Sequence, residues 1–325
     1  MEKQKPRSLS GVKPTGRPHI GNYMGAMLPL VQGQGDYQTF VMVADLHSLT
    51  GIHQAKTLRN YIKEIAIDYL AIGLDPRKTI IFRQSDIPAH SELAWIFDCI
   101  TSIGYLQRAH AYKDALAKNK EINVGVFNYP MLMAADILLY DVDIVPVGQD
   151  QKQHVEYARD TAEKFNRLFG QAFKLPKAVI QEEVKSIVGI DGRKMSKSYN
   201  NYLSLFAEDE EIRKQVMKIP TDSKSIEEPK DPDTCQVFAW HRVFSTKDLT
   251  EIEKRYRQGG IGYKEAKEIL IDNLIALINP LREKRKTIAE DPNWVFSVLE
   301  EGAERVRPLA DEKIRLVKDL TGLSL

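Results

Sequence analysis

Apolar positions along the chain fall into two regimes. Through about residue 200, short β-branched runs alternate with stretches of helical spacing. Ser8 to Val12 predicts a short strand that ends at Gly11 and leads through a turn containing Pro14 and Gly16. A helix follows from about Ile20. Thr39 to Ala44 (TFVMVA) predicts a buried strand, and Thr79 to Phe82 (TIIF) and Asp143 to Val147 (DIVPV) predict two more. Between them, Thr57 to Ile72 places Ile62, Ile65, Ala66, Tyr69 and Leu70 at helical spacing. Ser91 to Ile103, Pro130 to Tyr140 and Gln151 to Phe169 also read as helices. Strands alternating with helices predict a parallel sheet with helical crossovers, an α/β fold. Beyond residue 200 the strand-like runs vanish and helical spacing covers Tyr263 to Ile278 and Asp291 to Leu320. Ile219 to Asp233, rich in Pro, Asp, Glu and Ser, predicts a connecting loop.

Four stretches could carry chemistry. Gly11 to Asn22 joins the first strand to the first helix, and its end, His19-Ile20-Gly21-Asn22, offers backbone N–H groups and two polar side chains to an anion. Gly192 to Ser198 sets Lys194 and Lys197 among Met195, Ser196 and Ser198; such a loop can stabilise charge on a departing pyrophosphate. Tyr129 to Tyr140 starts with Pro130, suited to a helix's first turn, and buries Asp136 between Ala135 and Ile137, with Met133 one turn earlier on the same face. An isolated carboxylate in an apolar helix needs a donor, which suits a flat aromatic ligand carrying one N–H or O–H. Val145 to His154 turns from strand end to helix start at Gly148, where open α/β sheets bind ligands, with Asp150 and Gln151 in place for an amine or ribose. Each has a plain structural reading too: a capped βα turn, an exposed basic loop, an edge aspartate, a helix N-cap. His47 ends the second strand on the same sheet edge and either lines the pocket or is structural.

Composition narrows the options. Among 325 residues, 46 Lys+Arg balance 45 Asp+Glu for a net charge of +1, which excludes nucleic-acid binding by bulk charge. Two cysteines, Cys99 and Cys235, exclude a disulfide framework and a four-cysteine zinc site and fit a reducing compartment. No window reaches the ~18 uncharged apolar residues of a membrane helix, and the N-terminus lacks a signal-peptide core, so a cytoplasmic protein is expected. The one basic cluster of the helical part is Arg282, Lys284, Arg285 and Lys286.

His19-Ile20-Gly21-Asn22 and Lys194-Met195-Ser196-Lys197-Ser198 together resemble the two ATP motifs of class I aminoacyl-tRNA synthetases. Met133 to Tyr140, with Val145 to His154, resembles the bacterial tryptophanyl-tRNA synthetase family over nearly the whole chain. The resemblance implies a Rossmann-like catalytic domain over residues 1–200 and an α-helical, anticodon-contacting domain over 201–325. It implies L-tryptophan, tRNA(Trp) and ATP with Mg²⁺ carried by the nucleotide, no protein metal site, and a homodimer. Lys194, Lys197, His19 and Asn22 would serve catalysis. Lys13, Pro14, Thr15, Gly21, Gly148, Gln149, Asp150, Ile187, Met195, Ser196 and Ser198 would join them around ATP. Asp136 would accept the indole N–H; Tyr129 and Gln151 would lie near the α-amine; Met133, His47 and Val147 would shape the indole pocket.

Departures from the family pattern are few. Lys13 stands where relatives often have Gln, and Leu9 where some have an aromatic. Lys113-Asp114-Ala115 keeps one lysine of a common Lys-x-Lys, so that an ATP contact there is either missing or taken over by Lys118 or Lys120. The competing expectations are a tyrosyl enzyme, since a carboxylate accepts phenol O–H as readily, a non-catalytic paralogue, and a small-molecule nucleotidylyltransferase.

Overall fold

In the computed structural model, residues 5–117, 121–148, 152–180 and 187–324 are described. The elements run in chain order: β1 (Arg7–Val12), α1 (Ile20–Asn22), a π-helical turn (Tyr23–Met27), α2 (Leu28–Gln32), β2 (Gln38–Val43), α3 (Asp45–Ser48), α4 (Ala55–Ala71), β3 (Thr79–Arg83), α5 (Ala89–Ile100), α6 (Ile103–Leu106), α7 (His110–Ala117), α8 (Val124–Leu138), β4 (Ile144–Val147), α9 (Lys152–Phe169) and β5 (Lys177–Ile180). Helices then follow alone: α10 (Asp209–Met217), α11 (Gln236–Phe244), α12 (Leu249–Gln258), α13 (Tyr263–Ala289) and α14 (Pro292–Thr321).

The strands form one parallel sheet in the order β3-β2-β1-β4-β5. β1 pairs with β2 in a register that sets Leu9 beside Phe40, and β2 pairs with β3 so that Met42 lies beside Phe82. All of Thr39–Val43 is buried, as a strand covered on both faces requires. Chain order reverses between β1 and β4, the place where open α/β sheets take ligands beyond their strand ends. Lys13 follows β1 there and Gly148 follows β4.

By its contacts the chain forms two compact units. The first holds the sheet and comprises Met1–Gly16, Leu30–Glu182 and Asp291–Leu325; the second comprises Arg17–Pro29 and Glu183–Glu290. This division differs from a single cut at residue 200. The reason is α14, which returns to the sheet and packs on β3, α4 and α5. Gly302 makes that approach possible, because a Cβ there would overlap the Ile81 carbonyl. The second unit has its own core around Ile20, Phe238, Trp240, Tyr256 and Leu274. Residues 219–233 form a loop, as expected, but one inside the second unit. It is tied by the buried Lys230, whose ammonium donates to the Ser225 and Glu228 carbonyls.

One local expectation is corrected. Pro130 is inside α8 rather than in its first turn; the helix begins at Val124, capped by the Asn123 side chain accepting from the Val126 N–H. The basic cluster is partly structural. Arg282 is buried and donates to the Ala207 carbonyl and the Asp209 carboxylate, and Arg285 sits over the Phe206 ring.

Candidate active site

In the first unit the centre of the candidate site is Asp136. The apolar face of α8 carries it inward until it is 2% exposed. Three side chains from distant segments meet its carboxylate. Oδ2 lies 2.8 Å from His47 Nε2 on α3. Oδ1 accepts from Gln84 Nε2 at 2.7 Å and lies 2.7 Å from His90 Nδ1 on α5. Burial would raise this carboxyl's pKa, but the hydrogen bonds and charge of His47 and His90 prevail and bring it to about 2. The group is therefore an ionised, acceptor-only carboxylate at any working pH.

Its partners are themselves anchored. Gln84 Oε1 accepts the Leu46 N–H at 3.1 Å, which fixes the amide with its N–H₂ toward Asp136. Asp45, beside it, accepts the Ser85 N–H and hydroxyl, holding α3 against the turn after β3. His90 Nε2 is 2.7 Å from the Tyr140 hydroxyl, and burial raises that phenol's pKa, so it stays neutral. Tyr129 points its hydroxyl at His154, 3.0 Å from Nε2, and packs edge-on to His47. A pocket of about 420 Å³ opens here, lined by His47, Thr50, Trp95, Asp98 and Tyr129 among others.

Of the residues expected around an aromatic substrate, His47 and Tyr129 line this pocket. Asp136 is behind His47, while Met133 and Val147 are half-buried against the core. Leu9 belongs to that core as well. At the strand ends, Pro14 is buried with its carbonyl facing the Ser48 hydroxyl, and Lys13 donates to Thr50 Oγ1 at 2.8 Å. Thr15 and Gly148 are exposed, as is Lys113 on α7. Gln149, Asp150 and Gln151 lie outside the described residues, as do Lys118 and Lys120.

In the second unit the two glycine- and lysine-bearing stretches meet. His19 caps α1: its Nδ1 accepts the Asn22 N–H, while Asn22 Oδ1 accepts the His19 N–H, a reciprocal capping box. Gly21 faces Met195, and a Cβ there would come 3.0 Å from His19 Nδ1 and 3.2 Å from Met195 Sδ. The Ile20 N–H donates to the Leu203 carbonyl, and the Leu205 N–H to that of Pro18. The first stretch is thereby stitched to the exit of the second. Burial, and then the charge of Lys197, lower the His19 pKa to about 4, so the imidazole is neutral near pH 7.

The Lys194–Ser198 stretch leaves a tight turn at Gly189–Arg193, closed by the Gly189 N–H donating to the Arg193 carbonyl. Val188 pairs with Lys194 and the Met195 N–H donates to the carbonyl of the buried Ile187. Gly192 has φ +82°, and a Cβ would strike Gln236. Asn201, buried, accepts the Ser196 N–H at 2.8 Å and donates to Asp191 and the Lys194 carbonyl. Ser196 Oγ accepts the Ser198 N–H. Met195 is buried, while Lys194, Lys197 and Ser198 are exposed. The backbone is thus fixed and the two ammonium groups are left at the surface to meet an anion.

Sequence reasoning missed Gln84, His90, His154 and Asn201. Gln84 follows a strand end, the position that singled out His47, and that signal was available. His90, in the first turn of an apolar helix, and Asn201, in a polar run, gave none.

The chain matches the family model for class I tRNA synthetases (W and Y) over residues 1–286. It is 46% identical over 319 residues to the tryptophan–tRNA ligase of Fusobacterium nucleatum, covering 98% of each chain. The tryptophanyl-tRNA synthetase of Campylobacter jejuni, solved with ADP and tryptophan, superposes with a TM-score of 0.92 at 41% identity, over 97% of this chain and 99% of that one. That of Mycoplasma pneumoniae gives 0.82 at 31% identity over 99% of each. By motif, fold and length of match, this chain belongs to the class I tRNA synthetases for tryptophan and tyrosine.

Proposed function

We infer that the chain is a tryptophan–tRNA ligase. The carboxylate of L-tryptophan attacks the α-phosphorus of ATP, the bond to pyrophosphate breaks, and tryptophanyl-adenylate forms. A ribose hydroxyl at the 3′ end of tRNA(Trp) then takes the tryptophanyl group and AMP leaves. The observation that carries the choice of amino acid is the ionised Asp136, hydrogen-bonded by His47 and Gln84 beside a pocket lined by His47 and Tyr129, in a chain whose relatives of 41–46% identity are tryptophan enzymes.

Asp136 accepts the indole N–H, and Met133 and Val147 border the ring. Lys194 and Lys197 stabilise the negative charge that builds on the phosphates as pyrophosphate departs, a task of positioning and electrostatics that needs no covalent nucleophile. The neutral His19, Asn22 and the unsubstituted Gly21 receive phosphate oxygens at a helix N-terminus. Lys13, Pro14 and Thr15, with Gly148, serve the nucleotide from the strand ends; Gln149 and Asp150 complete that set, and Gln151 joins Tyr129 near the substrate's α-amine. Among the described residues no group of three His, Cys, Asp or Glu side chains is placed to hold a metal ion. Mg²⁺ fits this chain as a companion of the ATP phosphates, where it would neutralise their charge.

A homodimer in the cytoplasm completes the reading. Its support is the apolar surface of the first unit, where Trp95 is 69% and Val124 78% exposed beside the pocket. No described helix is long and apolar enough to cross a membrane. ATP–pyrophosphate exchange with each of the twenty amino acids tests the whole: exchange with tryptophan alone is expected, and exchange with tyrosine would overturn the substrate.

A further inference from the structure

One buried side chain grips the backbone between Lys194 and Lys197. Asn201 is 2% exposed. Its Oδ1 accepts the Ser196 N–H at 2.8 Å. Its Nδ2 donates to Asp191 Oδ1 at 2.7 Å and to the Lys194 carbonyl at 3.1 Å. Both donor hydrogens of the amide are thereby used. The two peptide groups it holds are those on either side of Met195, whose own side chain is buried and whose N–H donates to the Ile187 carbonyl.

A second layer of contacts settles how the amide sits. The hydrogen bond from Asn201, and after it those from Arg193, bring the Asp191 carboxyl to about 2, so it is an acceptor only. It therefore takes the N–H₂ end of the amide and leaves the oxygen for Ser196. Arg193 holds that carboxylate in turn, through its backbone N–H at 3.0 Å and its Nε at 2.8 Å. Gly189 supplies the space: a Cβ there would lie 2.3 Å from Asn201 Nδ2 and 2.5 Å from the Asn201 carbonyl oxygen. That carbonyl accepts the Ile190 N–H at 3.0 Å, so the main chain of Asn201 is fixed as well. The lysine stems keep their reach, while the points from which they start are set.

We propose that Asn201 is a positioning residue for adenylate formation: its amide fixes the two peptides between Lys194 and Lys197 and so places both ammonium groups on the phosphates they serve. Asn201 touches no substrate and acts through the lysines. The inference rests on Lys194 and Lys197 acting on ATP. A misplacement of about 1 Å in such a group costs on the order of 10²-fold in rate, so the brace belongs to the chemistry as much as to the fold.

The test is single-turnover adenylate formation at saturating ATP in four proteins: the wild type, Asn201→Ala, Lys197→Ala and the double variant. Thermal unfolding shows that each is folded. Asn201→Ala should lower the limiting rate at least about tenfold and leave the half-saturating tryptophan concentration unchanged. In the Lys197→Ala background the same substitution should cost at least about threefold less, because the brace has less to place once one lysine is gone. A residue needed only for packing would cost the same factor in both backgrounds. Should Asn201→Ala not fold, Asp191→Ala replaces it, at a side chain that is 31% exposed. Loss of the amide's charged anchor should lower the rate at least about threefold, and again by less without Lys197. A wild-type limiting rate in the variant tested, or an equal loss with and without Lys197, would overturn the proposal. A Lys197→Ala enzyme with the wild-type rate would instead sink the reading of the lysines on which it rests.

Discussion

The Asp136 centre and the Lys194–Ser198 loop solve opposite problems. Asp136 is 2% exposed and ringed by His47, Gln84 and His90, each arriving from a different segment of the first unit. Lys194 and Lys197 stand exposed on a stretch whose backbone is braced by Asn201, Ile187 and Gly192. A carboxylate that must recognise one neutral N–H profits from burial, because an unsatisfied buried acceptor penalises every wrong ligand. Ammonium groups that must follow charge moving onto a leaving pyrophosphate profit from reach, since lysine is a mobile point charge on a flexible stem. Burying the recognising group selects; exposing the charged groups serves a changing charge.

Substitutions sharpen this contrast. Lys197→Ala should cut the rate of adenylate formation by about 10²–10³, as loss of one preorganised donor does, with little change in Tm because the side chain is exposed. Single-turnover activation and thermal unfolding read the two effects. Asp136→Ala should do both kinds of damage: weaker tryptophan binding, and a loss of about 3 kcal/mol of stability because His47 and Gln84 lose their acceptor and His90 its neighbouring charge. Denaturant unfolding beside tryptophan titration checks it.

Acid should distinguish the units less sharply. His19 and His241, both in the second unit, have pKa values lowered from 6.5 to about 4, chiefly by burial. The unfolded chain takes up protons near pH 6.5 while the folded imidazoles resist until about pH 4. Stability contributed by their neutral forms is complete above pH 6.5 and should fall steadily between pH 6.5 and 4. His241→Asn should flatten that fall in Tm measured across the range. The smallest effect expected is for Gly21→Ala. Its methyl meets the His19 ring and Met195, whose side chain can give way, so about 1 kcal/mol should appear as a lower activation rate more than as lower stability. A companion Met195→Ala should recover part of it.

Much of this was legible in the chain before any coordinates. Runs such as TFVMVA and TIIF are too apolar and β-branched for anything but buried strands, and β2 and β3 fall there within a residue or two. β5 was not legible: KAVI is short, starts with lysine and pairs on one side only. α10 and α12 are short helices in charged sequence and α11 is a short, mostly apolar one, all with too few turns to show a period. Pro130 misled because proline suits a helix start, yet the cap that starts α8 is Asn123. At Asp136 the identity of the residue announced the need for a donor. Its donors could not be read, because Gln84 is 52 residues and His47 89 residues away in sequence. The loop was legible as a motif, but Asn201 became its brace only when the stretch folded back on itself.

The division between a selecting carboxylate and charge-following lysines is tested most directly by one measurement: single-turnover adenylate formation against tryptophan concentration, with Lys197→Ala and Asp136→Ala compared side by side. The account predicts that Lys197→Ala lowers the limiting rate and leaves the half-saturating tryptophan concentration unchanged, whereas Asp136→Ala raises the half-saturating concentration at least about tenfold. An Asp136→Ala enzyme that saturates at the wild-type tryptophan concentration, or a Lys197→Ala enzyme with the wild-type limiting rate, would contradict it.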